Sequence, residues 1–162
     1  DITKLSINTR DIGLAGIEVY DILRDEYGIQ VEFGDLGNIL AIVSAGDRAM
    51  EIERLISALY EIKRLYSKDP AGMFDHNYIN PEVVYTPQKA FYSRKKCLPI
   101  TESKGLISGE FVMAYPPGIP VLAPGERITE EIINYILYAK EKGSLLIGTE
   151  DMNVENINVV EG

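Results

Sequence analysis

Ile2, Leu5 and Ile7 stand against Lys4, Ser6 and Asn8 at the start of the chain, a pattern that predicts a half-buried strand over 2–9. Arg10 to Gly13 is turn-like. From Leu14 to Tyr27, the residues Val19, Tyr20, Leu23 and Tyr27 recur at helical spacing, with Glu18, Asp21, Arg24 and Asp25 elsewhere. Gly28 follows where a helix C-cap is expected. Ile29, Val31 and Phe33 alternate with Gln30 and Glu32 and predict a second strand. Residues 39–43 form a continuous apolar run, which predicts a buried third strand. Asp47 is placed to cap a long helix reaching Tyr66, with Ile52, Leu55, Ile56, Leu59 and Ile62 along one face. The order is β-α-β-β-α, mostly antiparallel, with the sheet on one side and the helices on the other.

Residues 67–81 are polar and carry Pro70, Gly72 and Pro81, so a subdomain boundary is expected there. The expected division is a small αβ domain over 1–67, a linker over 68–81 and a C-terminal domain over 82–162. The expected fold class is α+β: a β-α-β-β-α small domain followed by a second mixed α/β subdomain. Val83 to Tyr85 predicts a short strand. Thr86 and Pro87 open a helix that runs to about Lys95, with Ala90 and Phe91 inward. Residues 97–100 predict a strand in which Cys97 acts as a small buried hydrophobe, and 105–107 another. Thr129 caps a later helix, where Ile128 and Ile133 are placed to form a hydrophobic staple. Glu130 and Glu131 suit its positive end, and Lys140 and Lys142 its negative end. Residues 144–147 and 157–160 predict the last strands.

Between these elements lies the least ordinary run of the chain, Glu110 to Glu126. Apolar residues lead to Tyr115, then Pro116, Pro117, Gly118 and Pro120, with Pro124 and Gly125 close behind. Proline fixes φ and pushes its predecessor towards extended geometry, and Gly118 supplies a position where φ can be positive. The run predicts a rigid, sharply turned loop between two strands. On its residues alone it reads either as a structural corner packed on the core or as a platform that presents Tyr115 and Glu110 to a ligand.

A hydrophobic fraction of 46% is enough for a real core, and the 162 residues make one ordinary domain or two small ones. The net charge of −9 argues against nucleic acid as a partner. With one cysteine, Cys97, no internal disulfide forms, which fits a reducing, cytoplasmic compartment. No apolar run approaches membrane-spanning length. The chain begins with Asp1 rather than Met, and the expectation is a piece of a longer chain or a processed product.

No stand-alone catalytic set assembles from these residues. No Gly-rich phosphate loop is visible, and a Ser-His-Asp triad would need His76, the lone histidine, in the linker. With no second histidine and no cysteine pair, no metal site is expected. Glu102, Glu110 and Glu126 lie on or near the Pro-rich corner, and carboxylates there suit an ammonium or guanidinium.

The second half resembles the C-terminal domain of the bacterial ornithine/lysine/arginine decarboxylases, pyridoxal-phosphate enzymes of the aspartate-aminotransferase fold. The similarity is carried by Thr86 to Phe91, Leu98-Pro99-Ile100, Gly105 to Ser108 and Glu110. It continues through Tyr115-Pro-Pro-Gly-Ile-Pro120, Pro124-Gly125-Glu126 and the Ile128-Thr129 helix start. Lys4 to Asn8, Tyr20 to Arg24, 29–32, 38–43 and Gly46-Asp47 resemble the family's small domain. One departure is Leu106, where the family often has a basic residue. The resemblance implies a parent enzyme that removes the α-carboxylate of arginine, lysine or ornithine, with pyridoxal phosphate as electron sink. The cofactor would be attached outside this chain, on a large domain whose Schiff-base lysine and phosphate cup have no counterpart here, leaving the isolated chain inactive. The implied partners are that large domain, a further copy in a homo-oligomer and a small cationic amino-acid substrate. Glu110, Tyr115, Pro116, Pro117 and Gly118 are the implied substrate-facing residues, with no catalytic residue in the chain. The alternative is a non-catalytic regulatory module that binds an amino acid or amine, since the β-α-β-β-α order also resembles such domains.

Overall fold

The computed structural model describes residues 1–73 and 79–161. His76 lies outside the described residues. The chain divides into two compact units, Asp1–Met73 and Phe74–Gly162, and mixes helices with antiparallel sheets, an α+β protein.

In the first unit, strands β1 (Lys4–Asn8), β2 (Phe33–Gly34) and β3 (Asn38–Ile42) form an antiparallel sheet in the order β1-β3-β2. Ile7 pairs with Ile39 and Leu5 with Ala41. Helices α1 (Gly16–Asp25) and α2 (Ala49–Tyr66) share one core with the sheet, built from Leu14, Val19, Leu23, Val31, Ile39, Ala41, Ala58 and Ile62. Gly16 lets the start of α1 touch the sheet, because a Cβ there would lie 1.9 Å from the Asn38 carbonyl oxygen.

Three details differ from expectation. The strand expected over 29–33 shrinks to Phe33–Gly34. After Gly28 turns with positive φ, the Ile29 N–H is spent on the Leu23 carbonyl, so the chain leaves the helix before it joins the ladder. Arg48, not Asp47, stands at the N-cap of α2. Glu51 accepts from the Arg48 N–H at 3.0 Å, while Asp47 accepts from the backbone and hydroxyl of Ser44. Ile56 is 56% exposed although it was expected on the buried face. Ala58 and Ile62 are the buried positions of α2, and the inward stripe runs Leu55, Ala58, Leu59, Ile62, Tyr66, which rotates Ile56 to the flank.

In the second unit, α3 (Pro87–Tyr92) starts at Thr86, whose hydroxyl accepts from the Lys89 N–H. Its end at Tyr92 is earlier than expected, and Ser93 and Arg94 lead directly into β4 (Lys95–Pro99). Ala90 is buried, but Phe91 points to solvent, because one turn and a half of helix has only a narrow inward face. Cys97 is exposed rather than buried, since β4 is paired on one side, with β8 (Asn156–Val160). The strand expected over 105–107 is reduced to single bridges of Ile107 with Arg127 and Ser108 with Val159. Val83 likewise makes a single bridge, to Glu126.

A three-stranded antiparallel sheet follows, in the order β6-β5-β7, from β5 (Val112–Tyr115), β6 (Ile119–Leu122) and β7 (Leu145–Ile147). Helix α4 (Glu130–Glu141) lies between β6 and β7 in the chain and buries Ile132, Ile133, Ile136 and Ala139. Thr129 caps it by accepting from the Ile132 N–H, and Ile128 is fully buried beside that cap. No described helix is long and apolar enough to cross a membrane.

Candidate functional site

Strand β5 carries the Pro-rich corner at one end and Glu110 just before the other. Val112 and Ala114 are buried, so their neighbours Met113 and Tyr115 take the opposite face. At the corner, the Tyr115–Pro116 and Pro116–Pro117 peptide bonds are cis. Gly118 has φ 89° and donates its N–H to the Ala114 carbonyl at 2.9 Å, which closes the turn into β6. Tyr115 is half exposed, and Ile119 and Leu145 beside it are more exposed still. Tyr115 pairs with Leu145 and Ala114 with Ile119, so the tip is an apolar surface bearing one phenol.

The second prolyl turn, at Pro124 and Gly125, is clamped from several sides. Gly125 donates to the Ser108 carbonyl at 2.8 Å, and its own carbonyl accepts from Val84 and Tyr85. Glu126 folds back so that Oε2 accepts from the Ala123 N–H at 2.7 Å. This carboxylate holds the loop together. Glu102 ends a 3-10 turn, Ile100–Glu102, directly after β4.

Glu110 is an internal acceptor. Oε2 takes the Asn158 N–H at 2.8 Å, and Oε1 takes the Asn158 amide Nδ2 and the Glu150 N–H, each at 2.9 Å. A carboxylate offers about four lone-pair positions, so one remains. Asn158 also donates to Glu150 Oε2 at 2.8 Å. Ser108, fully buried, donates its hydroxyl to the Glu110 carbonyl at 2.7 Å and fixes the backbone there.

The structure brings Tyr115, Pro116, Pro117 and Gly118 together at the hairpin tip and leaves Glu110 apart from them. Five strand steps separate Glu110 from Tyr115, roughly 17 Å of extended chain. Glu110 instead lines a small cleft with Cys97, Glu150, Asp151, Asn156 and Asn158, about 180 Å³ in volume. That is below the roughly 300–1,000 Å³ usual for a site that encloses a whole small molecule. Asn158 was not singled out in the sequence, and Ser108 only as the end of the matching segment Gly105 to Ser108. The available signal for Asn158 was its alternation with Ile157 and Val159, which sets Asn156 and Asn158 on one face of the last strand.

Asp151 organises the loop before β8. It accepts from the N–H groups of Asn153, Glu155 and Asn156 and from the Asn156 side chain. These donors, the Asn156 N–H foremost, hold its carboxyl below the usual carboxylate range. A depressed folded-state pKa adds stability that is present above the unfolded value, about 3.9, and is lost as pH falls through the folded value. Wild-type protein should therefore lose melting temperature below about pH 4 more steeply than Asp151→Asn. Differential scanning fluorimetry from pH 7 to pH 2 checks this, and parallel curves would refute it.

A pyridoxal cofactor needs a lysine amine for its Schiff base. Every lysine here is exposed or half-buried, so this donor set does not fit the group. Among the described residues no cluster of His, Cys, Asp and Glu is placed to hold a metal ion.

Comparison with known proteins adds what the geometry leaves open. Residues 68–152 match the family model of the Orn/Lys/Arg decarboxylase C-terminal domain. The chain is 40% identical to the arginine decarboxylase of Bacillus subtilis (strain 168) over 164 aligned residues, which cover 99% of this chain and 34% of that protein. It is 37% identical to the arginine decarboxylase of Bacillus anthracis, covering 99% and 33%. The Francisella novicida lysine decarboxylase LdcF superposes over 99% of this chain and 31% of its own, with TM-score 0.68 and 24% identity, a likeness of fold. This chain thus spans about a third of the length of these relatives. It belongs to the ornithine/lysine/arginine decarboxylase family and corresponds to its C-terminal part.

Proposed function

We propose that this chain serves as the C-terminal part of a pyridoxal-phosphate-dependent decarboxylase of a basic amino acid, arginine foremost, releasing CO2 and a polyamine or its precursor. The observation that carries the reading is chain-wide identity of 37–40% to proteins named arginine decarboxylase. The inducible lysine decarboxylase of Escherichia coli is more distant, 28% identical over 66% of the chain. The parent enzyme is cytoplasmic and homo-oligomeric, and its cofactor is held by the large domain outside this chain. The isolated chain is catalytically silent. Family membership favours this role over a free-standing amine-binding regulatory module.

Within that enzyme, this part closes the active site, shapes substrate access and contributes to dimer contacts. The exposed tip of Tyr115, Pro116, Pro117, Gly118 and Ile119 supports the reading, because an apolar surface of this kind is stable when covered. Glu110, with one acceptor position spare, faces the distal cation of the substrate. In the full-length enzyme, Glu110→Gln should raise KM for the cationic substrate severalfold at little change in kcat, as expected when a ground-state charge contact is lost. Steady-state kinetics and a melting curve of the same variant check the role. Unchanged kcat/KM with a lowered melting point would make Glu110 a structural acceptor alone.

A further inference from the structure

Charge is segregated along the β4–β8 ribbon of the second unit. Four of the 16 basic residues and none of the 25 acidic ones lie in residues 83–101. They are Lys89, Arg94, Lys95 and Lys96, and among the described residues none of them pairs with a carboxylate. Two of them lie over rings instead. Lys89 Nζ is 3.8 Å from the Tyr85 centroid, and Lys95 Nζ is 5.0 Å from that of Phe91. Phe91 meets Tyr92 edge-on, with centroids 5.2 Å apart and planes at 87°. Lys89 and Tyr92 are neighbours at i and i+3 on α3. Rings and cations thus share one strip: Tyr85, Lys89, Tyr92, Phe91, Lys95. Phe91 and Tyr92 are 63% and 79% exposed. Exposed aromatic rings are enriched at interface centres.

The opposite end of the ribbon is acidic. Lys95 pairs with Val160 and Pro99 with Asn156, so the strip and the start of β8 lie at opposite ends of a five-residue ladder, about 13 Å apart. Glu150, Asp151 and Glu155 gather at that start, and the first two line the small cleft. Glu161 follows Val160 beside Arg94 and still leaves the first end net positive. Cys97, exposed and opposite Asn158, is the midpoint of the ladder.

We propose that this ribbon is a two-fold contact between two copies of the chain, with the basic–aromatic strip of each against the acidic end of the other. A surface positive at one end and negative at the other complements itself under a two-fold axis through its middle. The axis then passes near Cys97. Nucleic acid is the weaker occupant, because a net charge of −9 repels a polyphosphate. The perpendicular Phe91 and Tyr92 also give successive bases no common stacking plane. The contact deepens the homo-oligomer reading above by naming the face, and it requires no turnover.

The test treats the full-length protein in which this chain occurs with a short bis-maleimide, at low protein concentration, beside its Cys97→Ser variant. A covalent dimer present in the wild type and absent in Cys97→Ser is expected. Its rate should fall at least about tenfold in the double variant Lys95→Glu, Lys96→Glu, and again in Glu150→Lys, Glu155→Lys. Mixing the two variants should restore it, because each reversed end then meets its opposite. No Cys97-dependent dimer, or one indifferent to both reversals, overturns the contact. An oligomer that persists by light scattering without the crosslink overturns this face and leaves the homo-oligomer reading intact. Lysine-dependent binding of a dT oligonucleotide in place of the crosslink would assign the strip to nucleic acid and overturn the proposal.

Discussion

Gly125→Ala should lower the unfolding free energy by about 3 kcal/mol or more, the upper range for a single substitution. Two effects add. Gly125 has φ 93°, which a residue with a side chain rarely adopts. A Cβ built there would also lie 2.2 Å from the Tyr85 carbonyl oxygen and 2.9 Å from its carbon, both backbone atoms with little freedom to yield. Relief requires the loop to move, and the loop is tied by the Gly125 N–H to Ser108 and by the Gly125 carbonyl to Val84 and Tyr85. Each hydrogen bond lost adds about 1 kcal/mol. Urea denaturation of the wild type and the variant measures the difference, and a change under about 1 kcal/mol would show that the turn tolerates a side chain.

In the first unit, Ile62→Ala should cost about 2–5 kcal/mol, the range for an aliphatic side chain truncated in a packed core. Ile62 is fully buried, in one cluster with Leu14, Val19, Leu23 and Ile39. Fully enclosed in that cluster, it leaves a space that no flexible surface side chain can fill. Ile56→Ala, one and a half turns earlier, should cost under about 1 kcal/mol because Ile56 is already exposed. The pair is informative together, since both residues belong to the same apolar run. Equal losses in denaturant titrations would contradict the packing described for α2.

The contrast between Ile62 and Ile56 also shows where reading the chain succeeds and fails. Periodicity placed α2 and α4 well, because long amphipathic helices carry many apolar positions that must agree. It could not fix the rotation of α2 to within one residue, and Ile56 fell on the wrong side. Short elements were harder. Phe91 and Cys97 were expected inward, yet α3 has six residues and β4 is paired on one side, so each has fewer neighbours than its hydropathy suggests. The strand over 105–107 failed because its hydrogen bonds go to separate partners, the Ser108 N–H to the Glu126 carbonyl and the Ile107 carbonyl to the Val160 N–H, rather than to one ladder. The Pro-rich turn was legible from local chemistry alone, since proline and glycine act on their own backbone. Glu110 was visible as a carboxylate near that turn. Its ties to Asn158 and Glu150, 48 and 40 residues away in sequence, were not, because only folding brings those strands together.

A decarboxylation assay decides whether the protein that contains this chain is a decarboxylase of basic amino acids. The full-length protein in which this chain occurs is supplied with pyridoxal phosphate, and CO2 release is followed from arginine, lysine and ornithine in turn. Cofactor-dependent release from at least one of the three, fastest from arginine, is the predicted result. A folded full-length protein that releases CO2 from none of them would contradict the assignment of this chain to a working decarboxylase of basic amino acids.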